Sequence, residues 1–382
     1  MTDAASTLQT YQHFHAKSRD LSVDLLRVIA CLFVIGTHSF DLHGSDFSKL
    51  FLKTVFIDGV SVFFVLAGFF MFRRGFRTTL VNYTKRVFIP GLLTILFVES
   101  YVPLYHGKNI FYCIVRIPTE VLPVIAKSLI AFMTVDDITG YLWYIFTYMM
   151  IVLAFPILKP LCNKNTPSKY RIYIIFLTWL YLLLSEMNEL HVIPLMPGLT
   201  KLLPSSFMWA LCGYEIYDRK EQIKGNKKVR ALSLLFYITV IFFRAFWQYR
   251  ICLLEPANTY YVLWNRSFSI LSSAALIVFI LSFRTDRAGR VVQGIAKAGS
   301  YTLLIYLIHA PFMTFLNHFG FRSFVNRLVG GGGEMFLLQE ISFLAIRMAA
   351  DFLGSLAIAV LLTRLKKQFL SGTLYVRKKL SI

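Results

Sequence analysis

The chain has 382 residues, 57% of them hydrophobic and only 16% charged, with a mean hydropathy of +0.61. A soluble protein carries roughly a quarter charged residues, so a pair of soluble domains of this length is excluded. The formal net charge of +20 is explained below by topology, and nucleic acid is excluded as a partner.

A helix needs about 20 mostly apolar residues to cross about 30 Å of hydrocarbon. Segments of that kind run over 21–42, 53–72, 87–105, 141–160 and 170–186. They continue over 202–217, 231–249, 260–283, 300–319 and 340–363. Backbone polar groups in lipid must be satisfied within their own segment, which makes these helices. Short alternating segments of a β-barrel are not seen. The sequence therefore predicts an all-α integral membrane protein with about ten transmembrane helices.

Most of the 40 lysines and arginines fall in alternate loops. Arg73, Arg74, Arg77, Lys85 and Arg86 follow the second segment, and Lys159, Lys164, Lys169 and Arg171 follow the fourth. Arg219 to Arg230 and Arg284 to Lys297 repeat the pattern, and Arg364 to Lys379 ends it. This positive-inside bias puts both termini in the cytoplasm. The domains follow: a cytoplasmic segment 1–20, a transmembrane domain 21–363 and a basic cytoplasmic tail 364–382.

The outer loop 106–140 contains an apolar stretch from Ile110 to Met133, interrupted by Arg116, Pro118, Glu120, Pro123 and Lys127. Counting it as a span would invert every later loop. It reads as an interfacial or re-entrant helix. No cleavable signal peptide is evident, because the first 20 residues lack an apolar core. The five cysteines have no metal-ligand spacing. Cys113 and Cys252 share the outer side, but position alone does not license a disulfide. The glycine run Gly330 to Gly333 has no phosphate-loop context and reads as a flexible outer loop.

Ionisable side chains inside spans cost about 2.5–3.5 kcal/mol each on insertion scales, so each is a functional candidate. Arg27 and His38 lie eleven residues apart on the first helix. That is about three turns plus 20°, which puts both on one face about 16 Å apart along the axis. Arg27 sits near the cytoplasmic end and has a local partner in Asp24 at i,i+3. An arginine there can hold a phosphate, and a histidine deeper in can move a proton. His309 lies in the ninth span before Pro311, suited either to helix packing or to a substrate or oxyanion hydrogen bond. Glu99 and Arg244 are isolated by sequence; each is a candidate to line the cavity, and they are candidates for pairing with each other. Arg347 and Asp351, at i,i+4, read as a neutralised pair. Trp143 suits stacking on a sugar or an interfacial belt. Asp58 reads as a solvated helix-end carboxylate, with an acceptor hydrogen bond as the alternative.

Five fragments in order carry a resemblance. Asp24-Leu-Leu-Arg27 with His38 is similar to the first-helix motif of the membrane acyltransferase-3 family. Phe63-Phe-Val-Leu-Ala67-Gly68-Phe69, Lys85-Arg86-Val-Phe-Ile-Pro90, Tyr141-Leu-Trp143-Tyr144 and Tyr306-Leu-Ile-His309 follow at the family's spacing. The resemblance covers about residues 20–315. It implies a ten-helix acyltransferase of the cell membrane that uses cytoplasmic acyl-coenzyme A as co-substrate, with no bound cofactor. The acceptor it implies is a hydroxyl of a surface or lipid-linked glycan, and acetyl is the commonest acyl group. By resemblance His38 is the essential histidine and Arg27 a donor-binding arginine. Lys85, Arg86, Tyr141, Trp143, His309 and Glu99 complete the candidate substrate-binding set. Three positions depart from the pattern: Ala67 replaces a serine, Tyr141 a histidine, and Tyr83 stands near a second arginine's place. A transporter or flippase would share the topology and buried charges, although two similar halves are not seen. A non-catalytic membrane scaffold would tolerate loss of Arg27, His38 and Arg86.

Overall fold

Helices form wherever the sequence offers a long apolar run. The structure is a computed structural model that describes residues 20–39, 47–105, 107–131, 140–189, 205–254, 266–285, 289–330 and 337–380. The expected cytoplasmic segment before Asp20 and most of the glycine run lie outside the described residues. In chain order the helices are α1 (Leu21–Ser39), α2 (Phe47–Ile57), α3 (Gly59–Met71), α4 (Phe76–Tyr83), α5 (Ile89–Tyr105) and α6 (Ile110–Arg116). Next come α7 (Leu122–Ala131), α8 (Trp143–Leu153), α9 (Phe155–Leu158), α10 (Ser168–Glu189), α11 (Ser205–Asp218) and α12 (Lys220–Ile223). The last are α13 (Lys227–Leu254), α14 (Arg266–Leu281), α15 (Arg290–Ala298), α16 (Thr302–His318), α17 (Phe321–Leu328) and α18 (Leu337–Leu380). The described residues contain no strand.

Six helical stretches among them are long and apolar enough to cross a membrane. They are Leu21–Ser39, Phe47–Met71, Phe76–Ser100, Ser168–Met187, Lys227–Leu253 and Leu338–Gln368. α15 and α16 pass the same test together but are bent by 69°. The other expected spans fall on the shorter helices α8, α11 and α14, so length and composition do not reach ten. The protein is multi-pass all the same. Exposed Leu232, Leu235, Phe236, Phe242, Phe246 and Leu253 cover one long helix, α13, a surface that only lipid or another protein would cover.

Two helical segments widen to π geometry, Thr84–Phe88 and Ile117–Val121. Each precedes a proline, Pro90 and Pro123. A proline ring clashes with the carbonyl four residues back, and a wider turn relieves that clash. The stretch expected to be interfacial or re-entrant is helical from Ile110 to Ala131. Asn109 caps it, accepting from the Tyr112 amide at 2.8 Å, and Ile110, Phe111, Ile114 and Ile130 are exposed along it.

The centre is the crossing of α3 and α11. A Cβ on Gly68 would lie 2.0 Å from the Ala210 carbonyl oxygen, and one on Gly213 would lie 1.9 Å from that of Val65. Only glycine lets two backbones approach so closely. Beside the crossing, Phe64 stacks on Trp209 at 5.0 Å. Gly213→Ala should therefore destabilise the fold by about 1–3 kcal/mol or more, seen as a lowered unfolding temperature in detergent. An unchanged temperature would mean that the crossing has slack.

Many of the basic loops meet at one end of the bundle. Lys220 bonds Asp20, Ser22 meets Thr285 at 3.1 Å, and Arg230 donates to the Ser282 carbonyl at 2.9 Å. Arg171, fully buried, pairs with Glu215 at 2.8 Å and Asp218 at 2.5 Å. This basic end carries the start of α1, and His38 lies toward the other.

Candidate active site

Five chain segments converge at the far end of α1. A cavity of about 180 Å³ is lined by Val34, Thr37 and His38 of α1, Ile57 of α2 and Val60 of α3. Gly140, Tyr141, Trp143 and Tyr306 close it. His38 is exposed, and it has no hydrogen-bond partner among the described residues. Thr37 contributes little polarity, because its hydroxyl donates to the Phe33 carbonyl at 3.0 Å.

His309 stands behind His38, with ring centroids 5.3 Å apart. It is fully buried. Its Nδ1 lies 2.6 Å from the Tyr306 carbonyl oxygen. A carbonyl only accepts, so Nδ1 carries a proton and donates this bond, which leaves Nε2 as the ring's other nitrogen. That nitrogen has no hydrogen-bond partner among the described residues. Nε2 is thus the ring atom left for a substrate hydrogen bond.

Tyr141 and Tyr306 fix the wall. The Tyr306 hydroxyl donates to the Tyr141 carbonyl, and the Tyr141 hydroxyl donates to the Leu307 carbonyl at 3.2 Å. Tyr141 also packs edge-on against His309 at 5.5 Å. The tyrosine that replaces a histidine here is a wall bolted at both ends. Trp143 faces the cavity and contacts Phe64 at 5.7 Å.

Toward the basic end runs a ladder of tyrosine rings. Tyr306 meets Tyr144 at 5.7 Å, Tyr144 meets Tyr148 at 5.8 Å, and Tyr148 meets Tyr83 at 5.2 Å. Arg27 lies within electrostatic reach of Tyr144 and Tyr148. Its guanidinium bonds Asp24 at 2.9 Å, as the i,i+3 spacing predicts, and covers the Phe70 ring at 5.1 Å. Sequence reasoning missed this ladder. Its signal was present in Tyr141, Tyr144 and Tyr148, spaced three and four apart on one helical face. Tyr83, near the place of a second arginine, is a buried strut whose hydroxyl donates to the Ile145 carbonyl at 2.9 Å. Lys85 and Arg86 are exposed on the π segment and do not line the His38 cavity.

Three pairings differ from expectation. Glu99 does not pair with Arg244; it binds Arg116 at 3.3 Å and so anchors α6 to α5. Arg244 pairs with Asp58 at 2.8 Å, both fully buried. Asp58 is therefore no solvated helix end, and it also accepts from Ser269 at 2.8 Å and from Ser272. Arg347 and Asp351 do not form an ion pair. Arg347 donates to Asn317 at 3.4 Å and Asp351 accepts from Ser355 at 3.2 Å, while the two charges stay within electrostatic reach of each other. Cys113 and Cys252 are both free thiols.

An exposed histidine backed by a second, buried imidazole, in an aromatic cavity, can take a proton from a hydroxyl. Comparison with known proteins supplies the family. Residues 20–365 match the profile of the acyltransferase-3 family, described as an acyltransferase domain. Neither the characterised proteins nor the solved structures give a match. Nearly the whole chain is covered by the family profile, most of its described residues are helical, and it is a membrane acyltransferase that belongs to the acyltransferase-3 family.

Proposed function

We propose that this acyltransferase moves an acyl group, acetyl by preference, from cytoplasmic acyl-coenzyme A to a hydroxyl of a cell-surface or lipid-linked glycan in the cell membrane. The observation that carries the reading is the shared cavity of His38, Tyr141, Trp143 and Tyr306. It joins a proton acceptor to aromatic faces on which a sugar ring can stack. The basic end is the cytoplasmic one, and both termini lie there. Donor enters beside Arg27, its flexible arm follows the tyrosine ladder, and acceptor meets His38 from the outer side.

The transfer is direct. The acceptor oxygen attacks the thioester carbonyl carbon while His38 takes its proton. The carbon–sulfur bond then breaks, and the leaving thiolate takes the proton from imidazolium. His309 positions His38: an N–H of His38 donated to Nε2 of His309 leaves the other ring nitrogen basic toward the hydroxyl. The backbone bond of His309 to Tyr306 fixes that polarity.

The test is purified protein with acetyl-coenzyme A and a panel of saccharides. Free thiol is expected to rise with acceptor concentration, and the acceptor is expected to gain one acetyl mass. Thiol release from no donor, alongside facilitated saccharide flux in liposomes, would overturn the reading in favour of a transporter. An acylated protein trapped by rapid quench would replace direct transfer with a covalent relay.

A further inference from the structure

At the basic end, α3 finishes at Met71 and the chain turns, with the Arg74 amide donating to the Met71 carbonyl at 3.1 Å. A helix C-terminus carries partial negative charge, and four cations gather around this one. Three are committed. Arg27 is bonded to Asp24 and lies over Phe70 at 5.1 Å. Arg73 lies over Tyr217 at 4.7 Å. Lys159 donates to the Phe72 carbonyl. The fourth, Arg74, is exposed and has no carboxylate partner among the described residues. Arg27 and Arg74 both lie within electrostatic reach of Tyr148. Tyr148 also meets Tyr83 edge-on at 5.2 Å.

We propose that Arg74 is a donor-binding residue, which with Arg27 brackets the mouth beside Tyr148 and holds the phosphate groups of the acyl-coenzyme A. The inference rests on the acyl-coenzyme A reading above. A nucleotide bearing several phosphates needs more than one guanidinium, and Arg27 already shares its charge with Asp24. An uncommitted guanidinium offers two parallel N–H donors to a phosphate. Its site is a turn rather than a helix interior, so the side chain is free to follow the ligand.

The experiment compares two donors on the purified full-length protein: acetyl-coenzyme A, and S-acetylpantetheine, which has no phosphate. Arg74→Ala should raise KM for acetyl-coenzyme A about tenfold or more, the size of one lost charge-assisted bond. It should leave KM for S-acetylpantetheine unchanged, and Arg74→Lys should fall between. Calorimetry with coenzyme A alone should show the same weakening. Unchanged KM for acetyl-coenzyme A, or equal losses with both donors, would overturn the assignment while leaving the acyltransferase reading standing. A wild-type protein that neither binds coenzyme A nor releases thiol from it would overturn both.

Discussion

His38→Ala should lower the rate of thiol release from acetyl-coenzyme A by about 10²–10⁴-fold, the usual contribution of a positioned general base. The fold should survive. His38 is exposed into the cavity and makes no hydrogen bond among the described residues, so truncation leaves no buried group stranded. That separation of activity from stability is what makes the measurement decisive. His309→Ala should cost less, because it removes a positioning group, and the wild-type dependence of rate on pH should be displaced in the variant. Thiol release at the wild-type rate in His38→Ala would remove the histidine from the mechanism.

Asp58→Ala and Arg244→Ala should each destabilise the protein by about 3–5 kcal/mol, because each strands the partner's charge in the interior. Both side chains are fully buried, and Asp58 takes two further hydroxyl donors from α14. The double change to apolar residues of similar volume should recover much of the loss, since desolvating an ion pair offsets most of its attraction. The buried thiols of Cys31, Cys113 and Cys252 provide the readout. A thiol-reactive dye should label them at a lower temperature in each single variant. Single variants as stable as wild type would mean that water or another group reaches the pair.

Local pattern carried much of this architecture. The helix α1, the Arg27–Asp24 contact and the family motif all depend on residues within one or three turns of each other, and spacing alone reveals them. The pairings of Asp58 with Arg244 and of Glu99 with Arg116 join residues that only the folded packing brings together, and no local period encodes them. The reading of Asp58 failed for that reason: a carboxylate between two apolar runs looks like a helix end near water, whereas here α13 and α14 cover it. Arg347 and Asp351 failed in the opposite direction. Their i,i+4 spacing permits an ion pair, but Asn317 and Ser355 offer competing partners. Among the described residues six stretches pass as spans and the bent α15–α16 pair adds a seventh, and an apolar run in sequence does not reveal where a helix breaks. In the site, His38, Tyr141 and Trp143 were legible from the motif, whereas the role of Tyr306 as a brace depended on a hydrogen bond to a distant carbonyl.

The crossing of α3 with α11 has a consequence for substrate size. α3 is held at one end by Gly59, whose Cβ would lie 2.7 Å from the Ala30 carbonyl oxygen, and near the other by Gly68 against Ala210. A helix gripped at two backbone contacts neither slides nor turns. Its first turn bears Val60 of the cavity, and the Arg73–Arg74 turn follows its last. On the reading proposed above, the helix is a ruler of about 20 Å for 13 residues that would set the distance between the donor mouth and the reacting centre. A donor whose arm is shortened or extended by even a few atoms would bring its carbonyl out of register with His38, so the enzyme would choose its carrier by length as well as by charge.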